Sequence, residues 1–180
     1  MTFDQILAAE KRIRPSVRTT PLLSAPALDQ IAGRRVWIKC EALQHTGSFK
    51  YRGAKSAITA LDPGVPGVVA TSSGNHAQGI ARAASEAGLA AVIVMPEDAP
   101  AIKVAATRAY GAEIVFYDRH TEDRDVLGRA IATEREMVLI PPFDHLDLIA
   151  GQGPVGLELV VQAPLSGIPA AEVLIRFGGG

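Results

Sequence analysis

Cysteine is nearly absent. Cys40 stands alone in 180 residues, which excludes an internal disulfide framework and a multi-cysteine metal site. Long apolar runs are missing as well: none reaches the ~18 residues that a membrane-spanning helix needs. Neither sign of charge is in excess. A net charge of −1 leaves no electrostatic case for nucleic acid or for a membrane surface. The opening "MTFDQILAAEKRIRPS" has acidic residues and an amphipathic pattern, where a secretory signal has a basic start and an apolar block. No internal repeat, low-complexity tract or flexible linker interrupts the chain. The expectation is a soluble cytoplasmic protein with no nucleic-acid partner and no membrane partner.

What is present is apolar sequence, 48% of the chain, enough to bury a core in one domain or two small ones. It is arranged in short runs: "VWIKCE" (36–41), "GVVATS" (67–72), "AVIVMP" (91–96), "EIVFY" (113–117), "MVLI" (137–140) and "EVLIRF" (172–177). These read as buried strands. Amphipathic segments lie between most of them, at about 50–61, 75–87, 100–110, 122–135 and 146–163. Pro100 suits a first helical turn and Gly111 a helix end; "LDPGVPG" (61–67) is a turn cluster. Strand and helix in alternation imply parallel pairing, so the predicted class is α/β with open parallel sheets and helices on both faces. Two lobes are expected: 50–145 as a small α/β lobe, and 1–49 with 146–180 as part of a larger one.

Ligands of open α/β sheets sit beyond the carboxyl ends of the strands, so the segments following the strands are where chemistry belongs. After 36–41 comes "ALQHTGSFK". Gly47 permits a left-handed turn, and Lys50 follows at a helix start. The helix dipole there and burial beside Phe49 both disfavour the ammonium. Each favours the neutral amine, the form that attacks an aldehyde. A solvated lysine at a loop end is the plain alternative. After 67–71 comes "TSSGNHAQG", where Ser72, Ser73, Gly74 and Asn75 precede an alanine-rich helix whose first N–H groups are free to bind an anion. An ordinary serine cap is the alternative there, and His76 alone reads first as a satisfied histidine on a helix face. At the end, "EVLIRFGGG" places Gly178, Gly179 and Gly180 after a strand, a backbone suited to cradling a phosphate. One match is a decoy. "GQGPVG" (151–156) has dinucleotide-site spacing but does not follow a strand, and Pro154 lacks an N–H. Its glycines fit close packing or a bend instead.

Taken together, "TPLL" (20–23), "TGSFKYRGA" (46–54), "SSGNHAQG" (72–79), "VIVMPEDAP" (92–100), "KVAATRAYGAEIV" (103–115), "AGQGPVGLEL" (150–159) and "GGG" (178–180) resemble, in order and over essentially the whole chain, the fold-type II pyridoxal-phosphate enzymes of the serine/threonine dehydratase and serine racemase family. The resemblance implies a tryptophan synthase β-like fold and pyridoxal 5'-phosphate as cofactor. It makes Lys50 the Schiff-base lysine, sets Phe49 against the cofactor ring and Asn75 at the ring hydroxyl. It assigns Ser72, Ser73, Gly74, Asn75 and His76 to the substrate carboxylate and Gly178–Gly180 to the phosphate. Related cysteine synthases carry Ser-Gly-Asn-Thr-Gly where this chain has Ser73-Gly74-Asn75-His76-Ala77, which favours elimination over β-replacement.

The resemblance therefore implies an ammonia-lyase that converts L-threonine or L-serine to a 2-keto acid and ammonia, with Lys50 and Ser73 as catalytic residues. Ser73 also keeps open a serine racemase and a 3-hydroxyaspartate dehydratase, because serine is the residue at that position in those relatives. A non-catalytic fragment that keeps family residues is the alternative from another class. The substrate is a small amino acid, no metal ligand is assigned, and family members are usually homodimers. The family's glycine loop runs one residue past the third glycine and on into the larger lobe, whereas this sequence stops at Gly180. The second lobe is thus expected to be incomplete, with Val173, Leu174, Ile175 and Phe177 short of partners and the isolated chain inactive.

Overall fold

The structure, a computed structural model, describes residues 1–168 and 173–175. Its centre is a four-stranded parallel sheet formed by β3 (Gly67–Thr71), β4 (Ala90–Pro96), β5 (Glu113–Tyr117) and β6 (Val138–Leu139), in the order β5-β4-β3-β6. Side chains alternate across it, as the pleat requires. Val68, Ala70, Ala91, Ile93 and Met95 pack on one face with α3 (Lys50–Thr59) and α4 (Asn75–Glu86). Val69, Val92 and Val94 pack on the other with Ile131 and Ala132 of α6 (Arg124–Glu134). Helices therefore cover both faces, and each strand is apolar on both sides. The α5 helix (Ala101–Ala109) starts just after Pro100, and Gly111 follows it at φ +83°.

A second sheet lies apart. In it, β1 (Leu22–Ser24) runs antiparallel to β2 (Trp37–Lys39), with α2 (Pro26–Ala32) between them. The sequence reading placed a strand at 36–41 but missed its partner, a three-residue run with too few positions to show a period. The α1 helix (Phe3–Ile13), α7 (Leu146–Gln152) and α8 (Pro154–Leu165) complete the frame. The segment expected as one helix over 146–163 is two, because Gly153 and Pro154 interrupt it and Pro154 opens α8. The glycines of the discarded motif do pack closely. A Cβ on Gly151 would meet Ser56 Cβ and come within 2.7 Å of the Arg52 carbonyl oxygen, and one on Gly53 would lie 2.8 Å from the Leu148 carbonyl oxygen. So α3 and α7 touch backbone to backbone.

The strand expected over 172–177 is not formed at its described residues. Val173, Leu174 and Ile175 carry no secondary structure and are exposed. A strand needs a neighbour for its N–H and C=O groups, and no described strand pairs with this segment. Gly178, Gly179 and Gly180 lie outside the described residues. Among those described, no helix is long and apolar enough to cross a membrane, and no cluster of His, Cys, Asp or Glu is arranged to hold a metal.

Candidate active site at the start of α3 and α4

The chain reaches α3 through two left-handed residues, Thr46 (φ +59°) and Gly47 (φ +73°). Glycine adopts this conformation freely; a β-branched threonine does so only where the surroundings hold it. The turn delivers Lys50 as the first residue of α3, where its N–H donates to Ser48 Oγ at 3.3 Å. The Lys50 Nζ is half-buried and donates to the Pro142 carbonyl at 3.1 Å. Burial lowers its pKa and favours the neutral amine. Phe49 lies 5.4 Å from Nζ, measured to the ring centroid, but is itself 39% exposed. Its ring is thus open to a flat ligand and is not the group that buries the amine.

The second loop follows β3. Ser72 Oγ accepts from the Gly74 N–H at 3.1 Å, and Gly74 caps α4 with no side-chain bond of its own. The first N–H groups of α4 are therefore available to an anion. Asn75, first in the helix, is exposed. His76 is not. It is 3% exposed, and its Nε2 meets the Ile140 carbonyl at 3.2 Å, while its Nδ1 is buried without a partner. Burial pushes its pKa down to about 4, with the Lys50 and His145 charges acting in the same direction. Its side chain belongs to the wall of the site, and only its backbone N–H is left to face a carboxylate.

Two features bring the loops together. Gly79 in α4 would place a Cβ 3.3 Å from the Lys50 carbonyl oxygen, so α4 rests on the first turn of α3. Lys50 and His76 also contact the same short segment after β6, at Pro142 and Ile140. Ser72 and Ser73 border a polar cleft of about 150 Å³ with Tyr117, Arg119 and Arg124. Neither arginine stood out in the sequence, because both lie in the charged stretch from Asp118 to Asp125, Arg119 in a turn and Arg124 at the head of α6, which reads as surface. A larger groove of about 650 Å³ between α1 and α8 is lined by Phe3, Leu7, Val160 and Val161 and shares none of these residues.

Comparison with known proteins fits this geometry. The family described as "Pyridoxal-phosphate dependent enzyme" matches residues 13–180. The chain belongs to that family. It is 49% identical to the L-threo-3-hydroxyaspartate ammonia-lyase of Pseudomonas sp over 181 residues, covering 99% of this chain and 56% of the relative. It is 38% identical to the serine racemase of Schizosaccharomyces pombe, covering 99% and 55%. The solved structure of maize serine racemase superposes with a TM-score of 0.85 at 42% identity, covering 89% of this chain and 50% of that one. A solved threonine deaminase superposes with a TM-score of 0.86 at 48% identity, covering 93% and 54%. The chain thus spans about half the length of the relatives it matches.

The described residues fit the family's cofactor at the starts of α3 and α4: a half-buried amine whose pKa burial lowers, an exposed aromatic ring beside it and a helix N-terminus with no side-chain cap. The residues assigned to the phosphate lie outside the described ones.

Proposed function

We propose that this chain carries the lysine half of a pyridoxal-phosphate-dependent ammonia-lyase whose substrates are L-threonine and L-serine. The observation that carries this reading is the Lys50 amine, half-buried at the head of α3 with its pKa lowered by burial, and the Ser72–Asn75 loop leading into the adjoining helix. Lys50 would hold the cofactor covalently, Phe49 and Asn75 would contact its ring, and Gly178–Gly180 its phosphate. When bound, the cofactor withdraws electrons from the substrate Cα. The Lys50 Nζ accepts the Cα proton, and a depressed pKa keeps it competent as a base. The N–H groups of the Ser72–Asn75 loop and the Ser73 hydroxyl bind the substrate carboxylate. Loss of the Cα proton to Lys50 and of the Cβ hydroxyl, which takes up a proton and leaves as water, releases an enamine that water hydrolyses to the keto acid and ammonia. The frame of α1, α2, α7, α8 and the small sheet is proposed as part of a larger lobe, with 50–145 as the smaller one, and the complete protein as a homodimer in the cytoplasm.

A second reading is a 3-hydroxyaspartate dehydratase or a serine racemase on the same scaffold; the hydroxyaspartate substrate draws on the cleft that Ser73 shares with Arg119 and Arg124. Two guanidinium groups suit a second carboxylate. Borohydride reduction after incubation with pyridoxal phosphate, followed by peptide mapping, tests the anchor. The label is expected on the peptide containing Lys50 and is lost in Lys50→Ala; label on Lys39, Lys55 or Lys103 instead would sink the assignment. In the complete protein, keto-acid release and chiral analysis with L-threonine, L-serine and L-threo-3-hydroxyaspartate separate the two readings.

A further inference from the structure

Lys50 has little of its own to keep it in place. It opens a helix whose cap residue, Phe49, supplies no side-chain bond, and its amine has a single hydrogen bond, to a backbone carbonyl. First turns of helices fray unless tied down. The tie is two residues on. Arg52 is fully buried, and every nitrogen of its guanidinium is engaged. Its Nε donates to Glu41 Oε2 at 2.8 Å and Nη1 to Glu158 Oε1 at 2.8 Å. Its Nη2 reaches Glu41 Oε1 at 2.9 Å, Glu158 Oε2 at 3.0 Å and the Arg18 carbonyl at 3.0 Å. Thr20 Oγ1 also donates to Glu41, and the Lys39 Nζ donates to Glu158, Gln162 and the Thr20 carbonyl.

The cluster holds two cations and two carboxylates, and all four carboxylate oxygens are satisfied. It draws in Arg18 and Thr20, β2, the segment just before Lys50, and α8. Burial would raise the Glu158 carboxyl, but hydrogen bonds from Arg52 and Lys39 more than reverse this, so it stays ionised. An apolar cluster of the same volume would hold the fold at least as well; what a saturated ionic cluster adds is one fixed geometry. Lysine cannot reproduce the planar two-sided fork.

We propose that Arg52 is a positioning residue for Lys50: by gripping Glu41 and Glu158 it fixes the first turn of α3 and so sets how deep the Lys50 amine lies. On the α4 side the same turn is backed by Gly79. The proposal rests on Lys50 as the covalent anchor, but its test needs no cofactor and so fails separately from that reading.

The 180-residue chain is produced with lysine carrying carbon-13 at Cε, and Lys50 is titrated by NMR, its signal assigned by Lys50→Arg. Because burial is what lowers its pKa, the proton affinity of Lys50 reports its depth. In Arg52→Lys that affinity is expected to rise about tenfold. Ile131→Ala, which opens a cavity on the opposite face of the sheet, is expected to lower the melting temperature without moving Lys50. If Arg52→Lys does not fold, Glu41→Gln takes its place with the same expectation. An unchanged Lys50 titration in the folded Arg52 or Glu41 variant, or an equal rise in Ile131→Ala, overturns the proposal and leaves Arg52 a stability residue only.

Discussion

In the parallel sheet, Val68, Val69, Val92, Ile93 and Val94 are at most 1% exposed, with apolar helices against both faces. In the frame around it, Leu23, Ile38 and Val160 are 50%, 44% and 74% exposed, and the frame grips α3 through Arg52, a fully buried side chain paired with Glu41 and Glu158. The sheet is held by transfer of apolar surface from water, about 25 cal/mol per Å² and indifferent to direction. The cluster joining α3 to the frame is held by directed charge–charge hydrogen bonds, which fix geometry more than they add stability. The difference suits the division of labour proposed here: a robust platform carries the Ser72–Asn75 loop, and a precise joint carries Lys50.

The sharpest way to break that contrast is Arg52→Met. Removing one partner leaves Glu41 and Glu158 as buried carboxylates lacking their guanidinium, and a loss of about 3–5 kcal/mol in urea unfolding is expected. Replacing Arg52, Glu41, Glu158 and Lys39 together with apolar residues should restore most of it, while Lys50 stays mobile.

His76 is a titratable weak point of the platform. The folded state keeps His76 neutral down to about pH 4, whereas an unfolded histidine titrates near its ordinary value of 6.5. Between these values the unfolded chain binds the extra proton, so the contribution of His76 is complete above pH 6.5 and disappears as pH falls toward 4. Urea unfolding should show a loss on the order of 3 kcal/mol over that window, and His76→Gln should remove this part of the slope.

Gly151→Ala probes where platform and frame meet. The added methyl collides with Ser56 and the Arg52 backbone, and α7 must move off α3 at a cost of about 1–3 kcal/mol. Smallest of all is Arg135→Ala. Its bond to Glu113 is 2.6 Å long, but both side chains are well exposed, 38% and 51%. A change below ~1 kcal/mol by thermal unfolding is expected; a larger one would show that the platform, too, depends on ion pairs.

Much of the platform was legible because its physics is local and periodic. The runs at 67–72, 91–96 and 113–117 coincide with β3, β4 and β5 to within a residue, since β3 and β4, buried on both faces, write themselves as nearly unbroken apolar runs and the edge strand β5 keeps an apolar centre. The candidate site was legible at Lys50 and at Ser72–Asn75 because each follows a strand and opens a helix, where glycine and small polar residues leave backbone N–H groups free. The frame was harder. Leu22–Ser24 is too short for a pattern, and α7 and α8 share one continuous amphipathic stretch. The apolar run ending at Phe177 does not become a strand over Val173–Ile175 because apolar composition alone supplies no pairing partner.

By itself, then, the sequence determined the alternation of strands and helices, the parallel platform and the chemical character of its two loops, because each follows from side-chain period and local backbone freedom. Only the tertiary structure decided that Arg52 is buried and not a surface charge, that His76 faces inward, that Gly53 and Gly151 meet, and that Arg119 and Arg124 border the same cleft as Ser73. Glu41 and Glu158 stand 11 and 106 residues from Arg52 in the chain. No local pattern can pair groups so far apart, because their energy exists only once folding has removed the water between them.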